Sequence, residues 1–171
     1  NTDIKVYADS SFADDIPSRK STGGYVAYYG NAPVSYRSKR LGDMAMSTTT
    51  AEYMTLSEAA RVGTWMVLFL KELGLWTGQR PIILEDNQSA IKLVKKMSTS
   101  ERTKHIELRH QYMRWLYDQG KANVVHCPTK LQIADALTKI QPLPLFQQHE
   151  KQLMGYGLDE LTLPLREVRF T

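Results

Sequence analysis

The sequence contains very little cysteine and no long run of apolar residues. Cys127 is the one cysteine in 171 residues, which excludes an internal disulfide and any zinc site built from several cysteines, and which favours a reducing compartment. No apolar stretch approaches the roughly 20 residues that a membrane-spanning helix needs, and residues 1–10 do not have the pattern of a signal peptide. We therefore expect a cytoplasmic protein with no membrane partner.

Charge and length set only broad limits. The sequence has 22 basic and 18 acidic residues, a net charge of +4 and 42% hydrophobic residues. This mild basic excess suits a polyanionic partner, although it is common among soluble proteins. The length predicts one globular domain. We expect that domain over residues 1–140, followed by a proline- and glutamine-containing tail over 141–171 with a helix and an extended segment.

The residue pattern predicts three strands, a long helix, and then strands and helices in alternation. A strand at 4–8 runs into Asp9, and strands at 24–29 and 33–38 form a hairpin around Gly30 and Asn31. An amphipathic helix begins at Thr49 and ends near Gly74. The later elements are a strand at 81–84, a helix around 90–94, a helix over 102–118, a strand at 123–126 and a helix that begins near 133. This order predicts an α/β fold with a mixed five-stranded sheet flanked by helices.

Four acids lie where a predicted strand ends or a predicted helix begins: Asp9, Glu52, Asp86 and Asp135. Functional sites often form at such edges of a sheet. Mg²⁺ prefers oxygen ligands, and two ions about 4 Å apart can activate a water and stabilise the leaving oxygen in phosphodiester cleavage. Four carboxylates from separate elements can form a cage for such ions.

Each of these acids also has a structural interpretation. Glu52 can close a capping box of the form Thr49-x-x-Glu52, and the pattern alone favours that role. Asp86 can cap the helix that follows it, Asp135 can interact with a helix dipole, and Asp9 can be a loop acid. The pattern leaves both interpretations open.

Six short motifs occur in succession between residues 3 and 143: YADS (7–10), RKSTGGY (19–25), STTTAEY (47–53), EDNQSA (85–90), RTKHI (102–106) and ADALTK (134–139). In this order and at these spacings, the sequence resembles the ribonuclease H domain of copia-type LTR retrotransposon Pol polyproteins. The resemblance implies a ribonuclease H-like fold. It also implies that Asp9, Glu52, Asp86 and Asp135 are the catalytic acids and bind two Mg²⁺ ions, with Mn²⁺ as a substitute and Asp9 between the two ions.

The activity implied by the resemblance is hydrolysis of the RNA strand of RNA/DNA hybrids, leaving 5′-phosphate and 3′-hydroxyl ends, during reverse transcription. Its expected partners are the hybrid and an adjoining reverse transcriptase domain, in a cytoplasmic virus-like particle or in the nucleus. Short polar side chains can read 2′-hydroxyls in a minor groove, whereas basic side chains bind phosphates. The expected groove contacts are Ser11, Ser47, Thr48, Thr49, Asn87 and Gln88. The expected phosphate contacts are Arg19 and Lys20, with Arg37, Lys39, Arg40, Arg102 and Lys104 as further candidates.

Two features depart from related enzymes. Many cellular and retroviral ribonucleases H have a histidine in a loop shortly before the last aspartate, whereas His126 here precedes Asp135 by nine positions within a predicted strand. We expect a packed or edge position for His126 rather than a catalytic one. The short link over 97–106 leaves little room for the basic protrusion with which some cellular enzymes grip the hybrid, so binding is expected to depend on the adjoining reverse transcriptase.

Two other functions compete with this interpretation. Integrases and transposases share the fold and use acidic triads, but they lack the Thr-Thr-Ala-Glu helix start between the first two aspartate strands. A non-catalytic scaffold that binds nucleic acid or protein is the second alternative. The intact set of four acids favours the enzyme over the scaffold.

Overall fold

A computed structural model describes residues 3–95 and 111–156, and its centre is a five-stranded sheet. The strands are β1 (Ile4–Ser11), β2 (Thr22–Tyr29), β3 (Ala32–Arg40), β4 (Ile82–Glu85) and β5 (Asn123–His126). Their order is β3-β2-β1-β4-β5. β1 pairs antiparallel with β2 and parallel with β4, and β5 extends the parallel half. The sheet confirms the predicted mixed α/β fold and places β1 at its centre.

The helices lie on both faces of this sheet. The helices are α1 (Thr48–Glu72), α2 (Gln88–Lys95), α3 (Tyr112–Asp118) and α4 (Leu143–Leu153), with 3₁₀ helices at Thr129–Leu131 and Ile133–Leu137. The helix expected over 102–118 is present as α3 in its second part. Its first part, which contains Arg102, Lys104 and His105, lies outside the described residues. Within the described ranges, no helix has the length and apolar character to cross a membrane.

Alternating side chains of β1 divide the core into two layers. Val6 and Ala8 pack with Leu56 of α1 on one face, where α2 and α3 also contribute apolar residues. Tyr7 packs on the other face with Ile133 of the second 3₁₀ helix, in a layer that α4 also joins. Because both faces are covered, the carboxyl end of β1 is enclosed by elements from each side.

The N-terminus of α1 differs from the predicted capping box. Ser47 is the N-cap, and its Oγ accepts a hydrogen bond from the backbone N–H of Thr50 at 3.1 Å. The interpretation in which Thr49 and Glu52 form a capping box is therefore wrong. Glu52 lies in the second turn, where its position one turn before Leu56 directs it inward, and it is only 3% exposed. A buried carboxylate requires a polar or charged partner.

Two other element boundaries also differ from the sequence prediction. β1 continues to Ser11, so Asp9 lies within the strand, paired with Gly24, and is not a loop acid. The helix predicted to begin near 133 is a 3₁₀ helix that ends at Leu137, and α4 starts at Leu143 after Pro142. α4 packs against the 3₁₀ helix that carries Asp135, and the carbonyl of Gln152 in α4 accepts a hydrogen bond from the hydroxyl of Tyr28 in β2 at 2.8 Å.

Candidate metal centre

Three aspartates from three separate elements converge at the end of the central strand. Asp9 lies on β1, Asp86 follows β4, and Asp135 lies in the second 3₁₀ helix. Each contributes a carboxylate oxygen, and these oxygens all lie within 4.8 Å of one another. Asp9 has no exposed surface and Asp135 is 6% exposed. The parallel β1 and β4 bring the first two acids together, because their carboxyl ends meet at the same edge of the sheet.

A second group of carboxylates adjoins the first and shares one member with it. Glu52, Glu85 and Asp86 also have oxygens within 4.8 Å of one another. Glu85 is the last residue of β4 and is fully buried. It was not among the acids selected from the sequence, although an acid at the end of a buried strand is the signal that could have identified it. Asp86 is common to both groups, whereas the resemblance gives the bridging position to Asp9.

Burial and mutual repulsion make this cluster electrostatically unfavourable without cations. Loss of solvation raises the pKa of Asp9 to about 7. The positive charge of Lys139 lowers this pKa, and the negative charge of Asp135 raises it further. The pKa of Glu52 is raised to about 9, mainly by burial and next by the negative charge of Asp9. Burial and the neighbouring Glu52 raise the pKa of Glu85 well above its usual range. Shifts of this kind are typical of carboxylates that bind cations or act in catalysis.

The oxygens of the second group fit a hard divalent cation. Oε2 of Glu52 and Oε2 of Glu85 are buried and have no hydrogen-bond partner among the described residues. Such atoms are costly to bury unless a ligand satisfies them. An all-oxygen donor set is the set that Mg²⁺ and Mn²⁺ prefer, whereas a zinc site usually includes nitrogen or sulfur ligands. The residues present therefore fit the metal expected from the sequence.

A lysine compensates the charge of the first group. Lys139 donates from Nζ to Oδ1 of Asp9 at 2.8 Å and to Oδ1 of Asp135 at 2.9 Å. Burial opposes the charge on Lys139, but the Asp9 and Asp135 carboxylates raise its pKa above the usual range. The hydroxyl of Thr138 also donates to Asp9. Both residues belong to the ADALTK motif, but the sequence alone assigned neither of them a role.

The segment after β4 is held by its own side chains. Oδ1 of Asn87 accepts hydrogen bonds from the backbone N–H groups of Ser89 and Ala90 at 2.9 and 3.1 Å. Asn87 rather than Asp86 therefore caps α2, and the capping interpretation of Asp86 is wrong. Instead, Oδ2 of Asp86 accepts from the hydroxyl of Thr129 at 2.9 Å, which leaves its side chain oriented toward the other acids.

Two adjacent glycines allow elements from both faces to approach β2 beside Asp9. A Cβ atom on Gly23 would lie 2.6 Å from Oγ1 of Thr55 on α1. A Cβ atom on Gly24 would lie 2.8 Å from Cγ2 of Thr138 and 2.9 Å from Cβ of Leu137. The RKSTGGY motif thus has a steric explanation, since any side chain at either position would displace a neighbour of the acidic cluster.

The residues expected to contact nucleic acid lie on segments next to the acids. Gln88 is exposed at the start of α2. Ser47 and Thr48 are exposed at the start of α1. Ser11 and Thr49 are half-buried, Ser11 two residues beyond Asp9. Arg19 is exposed in the loop after β1, and Nζ of Lys20 donates to the Gly42 carbonyl at 2.9 Å.

His126 lies at the end of the edge strand β5 and is exposed. It is paired in register with Glu85 of β4. The expected edge position is thus the one observed, whereas the expectation that His126 has no catalytic role stays a prediction.

The sequence is similar to retrotransposon polyproteins of plants. It is 37% identical over 152 residues to the retrovirus-related Pol polyprotein from transposon TNT 1-94 of Nicotiana tabacum, and 33% identical over 150 residues to that from transposon RE2 of Arabidopsis thaliana. These matches cover 89% and 88% of the chain but only 11% and 10% of the relatives, so the chain spans about a tenth of their length. No protein-family model matches the chain.

Solved structures identify the fold. LC11-RNase H1 in complex with an RNA/DNA hybrid matches 78% of the chain and 92% of its own length, with a TM-score of 0.57 and 15% identity. RNase H1 from the archaeon Halobacterium salinarum matches with a TM-score of 0.52 and 16% identity, covering 78% and 92% of the two chains. The fold is that of a ribonuclease H domain. The sequence matches show that the chain is homologous to one segment of copia-type retrotransposon Pol polyproteins.

Proposed function

We propose that this chain is a Mg²⁺-dependent ribonuclease H that hydrolyses the RNA strand of RNA/DNA hybrids. The observation that carries the proposal is the convergence of Asp9, Asp86 and Asp135 from separate elements, with Glu52 and Glu85 adjoining them. The fold supports it, as does the homology to polyproteins of elements that replicate by reverse transcription. One structural neighbour was solved with an RNA/DNA hybrid bound.

Two ions, Mg²⁺ or Mn²⁺, would be held by the two groups of carboxylates, with Asp86 available to both. When bound, such ions activate a water for attack on the phosphodiester and stabilise the leaving oxygen. Asp9, Glu52, Asp86 and Asp135 are the catalytic acids in this proposal. Glu85 adds a fifth carboxylate beside Glu52, and its free Oε2 makes it a further candidate ligand. Thr129 and Thr138 orient two of the aspartates.

Exposed and half-buried polar side chains around the acids would recognise the hybrid. Gln88 begins α2 two residues after Asp86, and Ser47, Thr48 and Thr49 surround the start of α1, with Ser11 at the end of β1. These side chains can donate to and accept from 2′-hydroxyls in the wide minor groove of the hybrid. Asn87 would contact nucleic acid with its amide nitrogen, because its Oδ1 caps α2. Arg19 and Lys20 would bind phosphates without reading sequence.

The relatives support a proposal for the biological context. We infer that the chain acts beside a reverse transcriptase domain of the same polyprotein and removes template RNA after DNA synthesis. In this proposal the chain acts in a virus-like particle, in the cytoplasm or after entry into the nucleus. Because this chain is about a tenth of its relatives' length, the adjoining domain can supply additional contacts to the hybrid.

Substrate selectivity tests the proposal. The purified chain is incubated with Mg²⁺ and end-labelled RNA/DNA hybrid, duplex DNA, duplex RNA or single-stranded RNA of one sequence. We expect cleavage of the RNA in the hybrid alone. Equal cutting of duplex DNA would contradict the proposal and favour an integrase-like enzyme. Absence of cleavage with Mg²⁺ and with Mn²⁺, in a protein shown by circular dichroism to be folded, would favour a non-catalytic scaffold.

The Gln88→Ala variant tests hybrid recognition in the same assay. We expect hybrid cleavage to fall by the equivalent of about 1 to 3 kcal/mol, the usual effect of leaving a polar partner unpaired. Mn²⁺ affinity is expected to be unchanged, because Gln88 is not part of either carboxylate group. Ser89→Ala, at the next exposed position of α2, is the matched control. Unchanged hybrid cleavage in Gln88→Ala would remove this residue from the proposed contact surface.

A further inference from the structure

A buried glutamine joins the segments that carry the three aspartates. Gln132 has no exposed surface and lies between the two 3₁₀ helices. Its side-chain Nε2 donates to the carbonyl of Ala8 at 2.9 Å and to the carbonyl of Leu84 at 3.3 Å. Ala8 directly precedes Asp9, and Leu84 lies two residues before Asp86. The side chain of Gln132 therefore bonds to both strands immediately before their acids.

These bonds occur where the sheet opens. The parallel pairing of β1 with β4 ends at Tyr7 and Leu84. By contrast, β1 stays paired with β2 as far as Ser11, and β4 stays paired with β5 as far as Glu85. The two central strands thus separate just before the acidic cluster, and Gln132 bridges the gap. The width of this gap sets the distance between the backbones of Asp9 and Asp86.

The main chain of Gln132 completes the link to the third aspartate. Its carbonyl oxygen accepts a hydrogen bond from the backbone N–H of Asp135 at 3.1 Å, and its own N–H donates to the Thr129 carbonyl at 3.1 Å. One residue therefore contacts the backbone around all three members of the first carboxylate group. Thr129, which orients Asp86 through its hydroxyl, is held by the same residue.

The chemistry of this position requires a primary amide. Both strand neighbours of the side-chain nitrogen are carbonyl oxygens, so the group that faces them must donate two hydrogens from one atom. Because the position has no exposed surface, an unpaired charge there would be costly, and the donor must be uncharged. Only the amide nitrogen of glutamine or asparagine meets both conditions, and asparagine is one methylene shorter. The other end of the amide, Oε1, is buried without a partner in the described part of the chain. Two hydrogen bonds at one end and none at the other indicate that the donor end is what the site uses.

We propose that Gln132 is a positioning residue that fixes the spacing of Asp9, Asp86 and Asp135 for metal binding. This inference rests on the proposed function, because it assigns those three acids to the metal centre. Residues that orient metal ligands from outside the coordination sphere typically change metal affinity by about 10- to 100-fold when they are replaced.

The first test is a calorimetric titration of the full chain with Mn²⁺ alone. The second is a separate measurement of kcat and KM on the hybrid. Gln132→Met keeps the length of the side chain but removes both donors. Gln152→Met is the matched control, since Gln152 is a buried glutamine on the same face of the sheet, on α4. We expect Gln132→Met to weaken Mn²⁺ binding by about tenfold or more and to lower kcat, while KM for the hybrid changes less than twofold.

The outcomes separate this inference from the proposed function. Mn²⁺ affinity and kcat within twofold of wild type in Gln132→Met would overturn the positioning role, as would an equal loss of affinity in Gln152→Met. If Gln132→Met does not fold, Gln132→Asn keeps the amide at shorter reach and is expected to show a smaller but measurable loss of affinity; wild-type affinity in that variant would equally refute the inference. Failure of wild type itself to bind Mn²⁺ would instead refute the proposed function.

Discussion

Lys139 places its ammonium nitrogen 2.8 Å from Oδ1 of Asp9, a carboxylate with no exposed surface. The same nitrogen contacts Asp135 at 2.9 Å. Lys139 thus lies between two of the three acids proposed to bind a cation. A positive charge in this position neutralises the cluster when no metal is bound, and it must compete with a metal for the same oxygens.

Replacement of Lys139 is therefore expected to have opposite effects without and with metal. In EDTA, Lys139→Met should lower the free energy of unfolding by about 1.5 to 3 kcal/mol, the range for loss of a hydrogen bond to a charged group. The increase in Tm on adding Mg²⁺ should be larger than in wild type, because the competing ammonium is gone. Differential scanning calorimetry in both conditions measures the two effects. Lys151→Met, on the exposed surface of α4, is the control; a Lys139→Met variant as stable as this control in EDTA would show that the contact contributes nothing.

Gly24 provides a steric test of the same region. Gly24→Ala would place a methyl group 2.8 Å from Thr138 and 2.9 Å from Leu137, and so should displace the segment that carries Thr138 and Lys139. Overpacking of this kind typically costs about 1 to 3 kcal/mol, and hybrid cleavage should fall as well. Gly42→Ala is the control, because no atom lies within 4 Å of its added Cβ. Equal stability and activity of the two variants would mean that the close approach at Gly24 is unimportant.

The sequence could predict some residues of the site and not others. Asp9 and Asp86 could be predicted, because each follows a run of strand-forming residues and parallel strands end at the same edge of a sheet. The face of the sheet on which Glu85 lies could not be predicted, because all four residues of β4 are buried and do not alternate between buried and exposed positions. The contacts of Gln132 and Lys139 join residues 124 and 130 positions apart. No local pattern reports such contacts, because they depend on how the 3₁₀ segment packs over the sheet.

The start of α1 shows how a correct motif can be assigned the wrong local role. The segment from Ser47 to Glu52 contains four hydroxyl residues that can each cap a helix. The sequence pattern favoured Thr49, because Glu52 lies three residues later. In the structure Ser47 provides the cap. This shift leaves Glu52 in the second turn of the helix, where it faces the acidic cluster. The structure contradicts the capping role of Glu52, whereas the metal-binding role implied by the resemblance stays a prediction.

The raised pKa values predict an unusual pH dependence of stability in the metal-free protein. The pKa of Glu52 is about 9 and that of Asp9 about 7 in the folded chain, whereas unfolded Glu and Asp titrate near pH 4. At a pH between the unfolded and the folded pKa values, the unfolded state has released protons that the folded state retains. The free energy of unfolding therefore falls as pH rises through this range. In EDTA, we expect Tm to decrease from about pH 5 to about pH 9. Glu52→Gln should flatten this decrease, and a wild-type Tm that is constant or rises over this range would contradict the assignment.

His126 is expected to be largely dispensable for the reaction. It is exposed at the end of the edge strand β5, and it is not a member of either carboxylate group. His126→Ala should reduce kcat on the hybrid by less than about tenfold, below the usual contribution of a general acid or base. A reduction by several orders of magnitude would assign it a catalytic role.

The most direct test of the central claim is the rate of RNA cleavage in an end-labelled hybrid, measured as a function of Mg²⁺ concentration. The proteins compared are wild type, Asp86→Asn and the control Asp118→Asn, which lies on the surface of α3. Asp86 belongs to both carboxylate groups, and a neutral amide cannot replace its charge on the cations. We predict Mg²⁺-dependent cleavage with 5′-phosphate and 3′-hydroxyl products in wild type and control. Asp86→Asn should show no cleavage, while circular dichroism shows a retained fold. Wild-type cleavage by Asp86→Asn, or cleavage by any of the three proteins in excess EDTA, would contradict the account.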